Sequence, residues 1–175
     1  MDLLNPDFRN ALFDWVEELK KKNLYVQIKD TYISPLEQAK LWKSGHSDSD
    51  IDQKIEWLKR NKCECIAEML ADAYASVGPF VTNLLPGCSW HNWGKAATYN
   101  LRKTIEDRVF SIHNTEFKVA VRLAQKCGLF TGCQLLPTRL RDDVIQMHQD
   151  TFPINSLTIQ RINAKVKEWY DNQTH

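Results

Sequence analysis

The stretch from Ser89 to Asn100, SWHNWGKAATYN, contains one side chain that commonly binds metal ions, the imidazole of His91. Small residues surround it in an S-x-H-x-x-G-x-A arrangement formed by Ser89, His91, Gly94 and Ala96. A hydrolytic zinc site takes three protein ligands and keeps a fourth position for water. The neutral Thr98 lies seven residues after His91, and the stretch contains no carboxylate. It therefore has the form of a metal site from which a ligand is missing.

Length and composition predict one domain, residues 1–175. The order of the expected helices and strands, without β-α-β alternation, predicts an α+β fold in which several helices pack with a small antiparallel sheet. A net charge of +1 argues against nucleic-acid binding, which needs a basic face. The sequence contains no apolar run long enough to predict membrane insertion. The N-terminus carries early acidic residues and no continuous apolar stretch, which predicts synthesis in the cytoplasm without a signal peptide. Five cysteines, an odd number, favour reduced thiols over a disulfide framework.

Apolar spacing and capping signals predict the elements that must position the site. Helices are expected at Asp7–Lys22, from a Ser34–Glu37 capping box through Trp42, and at Ile55–Tyr74, Asn114–Cys127 and Leu157–Tyr170. Strands are expected at Leu24–Lys29, Phe80–Thr82 and Val144–His148, and as two pieces of Ser89–Asn100 bent at Gly94. The polar segment Gly45–Asp52 is predicted to be a surface loop, with His46 an exposed loop histidine.

Taken in order, T-Y-I-S-P-L-E-Q at Thr31–Gln38, the S-W-H-N-W-G-K-A segment, a helix ending in G-L-F and an acidic strand resemble the LAS-type zinc peptidases. This family comprises D-Ala-D-Ala carboxypeptidases and L-alanyl-D-glutamate endopeptidases that cut peptidoglycan stem peptides, among them many phage endolysins. The resemblance spans roughly Tyr25–His148. It implies the LAS/Hedgehog-like peptidase fold, a zinc cofactor and a stem-peptide substrate.

Carried over by position, the resemblance implies that His91 is the first zinc ligand. Thr98 occupies the position of the aspartate ligand, and Ile33 that of an arginine that steadies the oxyanion. In the late motif Asp143 occupies the position of the catalytic base, while Gln146 occupies that of the second histidine ligand. Two of three ligands and the oxyanion cation are thus replaced. The implied substrate cleft includes Ile33, Ser89, Trp90, Trp93 and Gly94.

Three functions stay open on these residues. A pseudopeptidase would use the cleft or surface to bind a stem peptide or a protein partner without a cofactor. An active zinc peptidase would need a rebuilt ligand set, for which His148, Cys88 and the Asp142–Asp143 pair are the candidates. A phage or effector-type interaction protein would have kept only the fold. Delivery to a cell wall would require lysis or a secretion system.

Trp90 and Trp93 flank His91 and admit two interpretations. They could form aromatic walls that pack a sugar or peptide, or they could fill the core around a small sheet.

Overall fold

The computed structural model describes residues 3–74, 79, 81–111, 113–131, 144–147 and 158–173. Their contacts divide the chain into two compact units, and the first comprises residues 1–32 and 93–152 while the second comprises 33–92 and 153–175. The α+β class is confirmed. That residues 1–175 form a single domain stays a prediction. No helix among the described residues is both long and apolar enough to cross a membrane.

The first unit contains two helices and a four-stranded antiparallel sheet of order β1-β2-β4-β3. Its elements are α1 (Pro6–Lys20), β1 (Tyr25–Ile28), β2 (Ala96–Arg102), α5 (Thr115–Lys126), β3 (Leu129–Thr131) and β4 (Val144–Met147). Asn5 caps α1 by accepting from the N–H groups of Asp7 and Phe8, and Pro6 occupies the first helical position. The predictions of α1, β1, α5 and the strand beginning at Val144 are confirmed, whereas His148 lies outside the described residues.

The core of this unit forms between α1, α5 and one face of the sheet. Trp15 is fully buried, meets the ring of Tyr99 edge to face at 5.1 Å, and donates its indole N–H to the Ala120 carbonyl at 3.0 Å. Along β2, Ala97, Tyr99 and Leu101 contribute to this core. Because side chains alternate along a strand, Ala96 and Thr98 point to the opposite face of the sheet.

The second unit is helical in its described part. It contains α2 (Pro35–Lys43), α3 (Asp48–Arg60), α4 (Glu64–Asp72), a 3-10 helix (Trp90–Trp93, whose last residue belongs to the first unit) and the final helix, here α6 (Ile159–Asp171). Ser34 caps α2 through the Glu37 N–H at 3.0 Å, as the sequence predicts. The Asn163 side chain accepts from the Ile66 N–H and ties α6 to the start of α4.

Three predictions for residues 45–82 are wrong. The expected Ile55–Tyr74 helix is two helices, because Lys62 adopts a left-handed backbone (φ 58°) that an α-helix cannot contain. The expected Gly45–Asp52 loop contains the start of α3, where Ser47 and Asp50 form a reciprocal capping box. Val81 and Thr82 have no regular secondary structure, while Phe80 lies outside the described residues.

Candidate functional site

His91 lies in the 3-10 helix, where a strand piece was expected, and its residue is only 8% exposed. Ser89 begins this turn, and its hydroxyl accepts from the His91 backbone N–H at 3.3 Å. The His91 carbonyl accepts from the Ile33 N–H at 3.2 Å. Two segments that are far apart in sequence, the T-Y-I-S segment and the S-W-H-N segment, therefore meet at Ile33 and His91.

Asn92 holds this segment together, and the sequence analysis did not single it out. It is 1% exposed, its side-chain oxygen accepts from the N–H groups of Gly87 and Ser89, and its side-chain amide donates to the Ile33 carbonyl at 2.8 Å. The available signal was an amide beside His91 followed by a turn-forming glycine, since a buried asparagine often satisfies the backbone of a turn. Asn92 has a structural role in positioning His91 and Ile33.

Cys88 immediately precedes this hydrogen-bonded segment and is a member of the rebuilt ligand set. Burial raises the pKa of its thiol from 9.0 to about 11, with a smaller contribution from nearby Cys63. A thiol binds zinc as the thiolate. In the metal-free protein the Cys88 side chain is therefore a neutral thiol at physiological pH.

The bend predicted at Gly94 is confirmed in the first unit. Gly94 has φ +63°, and a Cβ built on it would lie 2.3 Å from the Leu3 carbonyl oxygen. The Gly94 carbonyl accepts from the Asn5 N–H at 3.0 Å. Glycine is required here by both the left-handed backbone and the close approach of the chain before α1.

Of the two tryptophans predicted as cleft walls, Trp90 is buried in the second unit and Trp93 is half-buried in the first. The burial of Trp90 favours the core interpretation for that ring. Trp93 is half-buried, so its burial does not decide between the core and the cleft-wall interpretation.

Thr98 lies in the middle of β2 and is 7% exposed. Its N–H donates to the Asp30 carbonyl at 2.7 Å, and its carbonyl accepts from the Lys29 N–H at 2.8 Å. The backbone at this position is therefore fully bonded, and the residue that occupies it is uncharged. An unpaired carboxylate at a position this buried would carry a large desolvation cost.

Position 146 lies on β4, where the register pairs Gln146 with Ala96 and Val144 with Thr98. Because opposite residues of an antiparallel pair share a face, positions 98 and 146 are diagonal neighbours on one face of the sheet. The fold thus brings together the two positions at which the resemblance implies lost ligands. Asp142, Asp143 and His148 lie outside the described residues, so the base and the possible replacement ligand stay predictions.

The donor groups at the implied ligand positions do not fit zinc. They are one imidazole at His91, one hydroxyl at Thr98 and one carboxamide at Gln146, whereas hydrolytic zinc takes imidazole, thiolate or carboxylate ligands. Among the residues described by the structure, no three His, Cys, Asp or Glu side chains are grouped so that they could hold a metal ion.

No family model matches the sequence, and no curated protein matches it. The chain is similar to a mutant of the vancomycin resistance D,D-pentapeptidase VanY in complex with Zn(II), with a TM-score of 0.41, 13% identity and coverage of 95% of this chain and 83% of that one. It is similar to VanYB in complex with D-alanine-D-alanine, with a TM-score of 0.41, 14% identity and coverage of 96% and 82%. For the LD-carboxypeptidase LdcB, described for its peptidoglycan recognition, the TM-score is 0.45, the identity 12% and the coverage 91% and 67%.

Proposed function

We propose that this chain is a non-hydrolytic relative of the LAS-type zinc peptidases that binds a peptidoglycan stem peptide. The observation that carries the proposal is a pair of hydrogen bonds at the Ile33 backbone, whose N–H donates to the His91 carbonyl and whose carbonyl accepts from the Asn92 side-chain amide. These bonds join the two segments whose sequences resemble the peptidase motifs. The hydrogen bonds that join Ile33, Ser89, His91 and Asn92, which we call the frame, support the proposal.

The proposed loss of hydrolysis follows from the side chains in that frame. Zinc lowers the pKa of its bound water far below that of bulk water, to about 7, and this shift supplies the nucleophile of such a peptidase. His91 is the only one of the three implied ligand positions that carries a zinc-binding side chain. Ile33, bonded through its backbone to His91, brings an apolar side chain where the resemblance implies a cation. The loss of one oxyanion donor alone costs roughly 2.7–4 kcal/mol of transition-state stabilisation.

Peptide binding does not require the metal. A stem peptide offers amide groups and a terminal carboxylate, and the half-buried Trp93 is an aromatic residue on which its apolar parts can pack. Binding energy from groups remote from the scissile bond is retained when the chemical centre is lost. We expect affinity without turnover.

Restoring the family's ligand types at positions 98 and 146 tests the proposal. The double variant Thr98→Asp/Gln146→His is expected to bind one zinc per chain, measured by mass spectrometry of the native protein and by elemental analysis. Zinc should also raise the unfolding midpoint of this variant, because a ligand that binds only the folded state stabilises it. The same variant with His91→Ala is the matched control and should bind no stoichiometric zinc.

Calorimetry with a synthetic stem peptide ending in D-Ala-D-Ala tests the binding half of the proposal. We expect heat of binding from the natural chain, with the peptide recovered uncut by chromatography. Absence of binding would remove the stem-peptide proposal and leave a partner-directed protein. Chelator-sensitive cleavage would establish the rebuilt-zinc alternative instead.

A further inference from the structure

A second binding site is suggested by a cavity of about 820 Å³ in the second unit, which we call the α3 groove. One side of α3 supplies most of its lining, and Trp42, His46 and Asn83 complete it. None of the residues assigned to the stem-peptide cleft lines this groove. Its volume falls within the range of about 300–1,000 Å³ that is typical of small-ligand sites.

Two aromatic side chains of the groove are fixed by local contacts. The ring of His46 stacks on that of buried Trp42, with centroids 4.2 Å apart and planes 16° from parallel. His46 Nδ1 bonds the Trp42 carbonyl, and since a carbonyl only accepts, this nitrogen carries the proton. The imidazole is therefore held in one orientation against the wall of the groove.

Trp57 presents an indole that the core does not use. Ile51 and Leu58 form the buried stripe of α3, whereas Trp57 is 39% exposed and lines the groove. Lys54 lies with its ammonium nitrogen 5.0 Å from the centre of the indole ring. A cation at this distance stabilises one indole face and leaves exposed surface for a ligand.

The polar lining narrows the class of ligand. Among the described lining residues, three carboxylates face two cations, and no aliphatic side chain is present. The near balance of charge disfavours a nucleic acid, which requires a basic surface. The lack of aliphatic lining disfavours an acyl chain or the apolar face of a helix. The arrangement instead suits a ligand that has an apolar face for an indole and many hydroxyl groups for carboxylates and amides.

We propose that the α3 groove binds a short, uncharged oligosaccharide, with one sugar ring packed on Trp57 and its hydroxyl groups bonded by Asp52, Gln53 and Asn83. The C–H face of a pyranose ring packs on an indole, while carboxylate and amide oxygens accept from its hydroxyls. Asp50 is not assigned this role, because its carboxylate is bonded by Ser47 in the helix cap, and these bonds lower the pKa of that carboxyl group.

Heteronuclear NMR of the tryptophan indole N–H signals tests this site directly. The Trp57 signal is identified as the one missing from Trp57→Phe. Titration with triacetylchitotriose, and separately with maltotriose, is expected to shift this signal with one or both sugars. Trp57→Ala should weaken the affinity by about tenfold, as expected for the loss of one stacking contact. Phe13→Ala, which removes an exposed aromatic ring of α1 outside the groove, is the matched control and should leave the affinity unchanged.

Each outcome decides the proposal. A shift of the Trp57 signal with either sugar, together with a weaker affinity of Trp57→Ala for that sugar measured by calorimetry, supports it, and the two sugars distinguish an acetylated glycan from a plain glucan. No shift with either sugar at millimolar concentration overturns it. A shift produced only by the stem peptide also overturns it, because the groove would then belong to peptide recognition. Failure here leaves the stem-peptide proposal intact, since the two sites share no residue.

Discussion

The segment Ser89–Asn92 and strand β2 both bury polar residues, but they satisfy them differently. In the former, the side chain of Asn92 bonds three backbone groups, so the conformation depends on that side chain. In β2, the backbone of Thr98 is bonded by the backbone of Lys29 and Asp30, so the conformation there does not depend on the residue at 98. A motif can therefore keep its backbone conformation while the chemistry of a ligand position changes.

The largest effect is expected for Asn92→Ala. This change removes the side-chain oxygen that accepts from the N–H groups of Gly87 and Ser89 and the amide that donates to the Ile33 carbonyl. At about 1–3 kcal/mol for each unsatisfied group, with partial rescue by water, we expect the free energy of unfolding to fall by roughly 3–5 kcal/mol. Urea denaturation measures it, and Asn83→Ala, at an exposed asparagine, is the control. A loss no larger than that of the control would contradict the role given to Asn92.

For Gly94→Ala we expect the free energy of unfolding to fall by about 2–4 kcal/mol, because an alanine there combines a left-handed backbone with a clash against the Leu3 carbonyl. Gly128 offers a matched control, because it has φ +74° but a Cβ placed on it would meet nothing within 4 Å. Gly128→Ala should therefore cost only the backbone term, about 1 kcal/mol. Equal losses in the two variants would show that the approach of Leu3 contributes nothing.

The Cys88 thiol makes the free energy of unfolding depend on pH. Its folded pKa of about 11 lies above the ordinary value of 9.0, so the stability it contributes is complete below pH 9 and is lost as pH rises towards 11. Between pH 8 and pH 10 this amounts to a loss of about 1.4 kcal/mol. Urea midpoints at the two pH values should show a smaller difference in Cys88→Ala than in the natural chain. The same difference in both proteins would mean that Cys88 does not titrate as described.

The smallest effect is expected for Thr98→Val, which keeps the shape of the side chain and removes its hydroxyl. Because the backbone of Thr98 is bonded independently of its side chain, the loss should be about 1 kcal/mol or less. Thr98→Asp should lower the free energy of unfolding by more than Thr98→Val, because it buries a charge. If Thr98→Val were as damaging as Asn92→Ala, position 98 would be part of the frame after all.

Local signals in the sequence predicted much of the scaffold. The cap at Ser34 and the apolar stripes of α1 and α5 depend on residues within or next to the helix they control, so periodicity and capping signals predicted them. The break at Lys62 was missed because a lysine with positive φ has no local signal of its own. The capping box at Ser47 was present in the sequence, but the polar composition of its surroundings suggested a loop.

The site was predictable as a set of positions and not as a set of contacts. The meeting of Ile33 with His91 and Asn92 depends on the path of the chain between them, which periodicity does not encode. The role of Asn92 depends on which backbone groups the fold leaves unpaired. The diagonal relation of positions 98 and 146 required the register of β2 and β4.

Elemental analysis of the natural protein, purified without chelators and dialysed against zinc-free buffer, shows whether the site around His91 holds a metal ion. We expect no stoichiometric zinc, and no cleavage of purified stem peptides after zinc is added. One zinc per chain that is lost in His91→Ala, together with cleavage that a chelator stops, would contradict it.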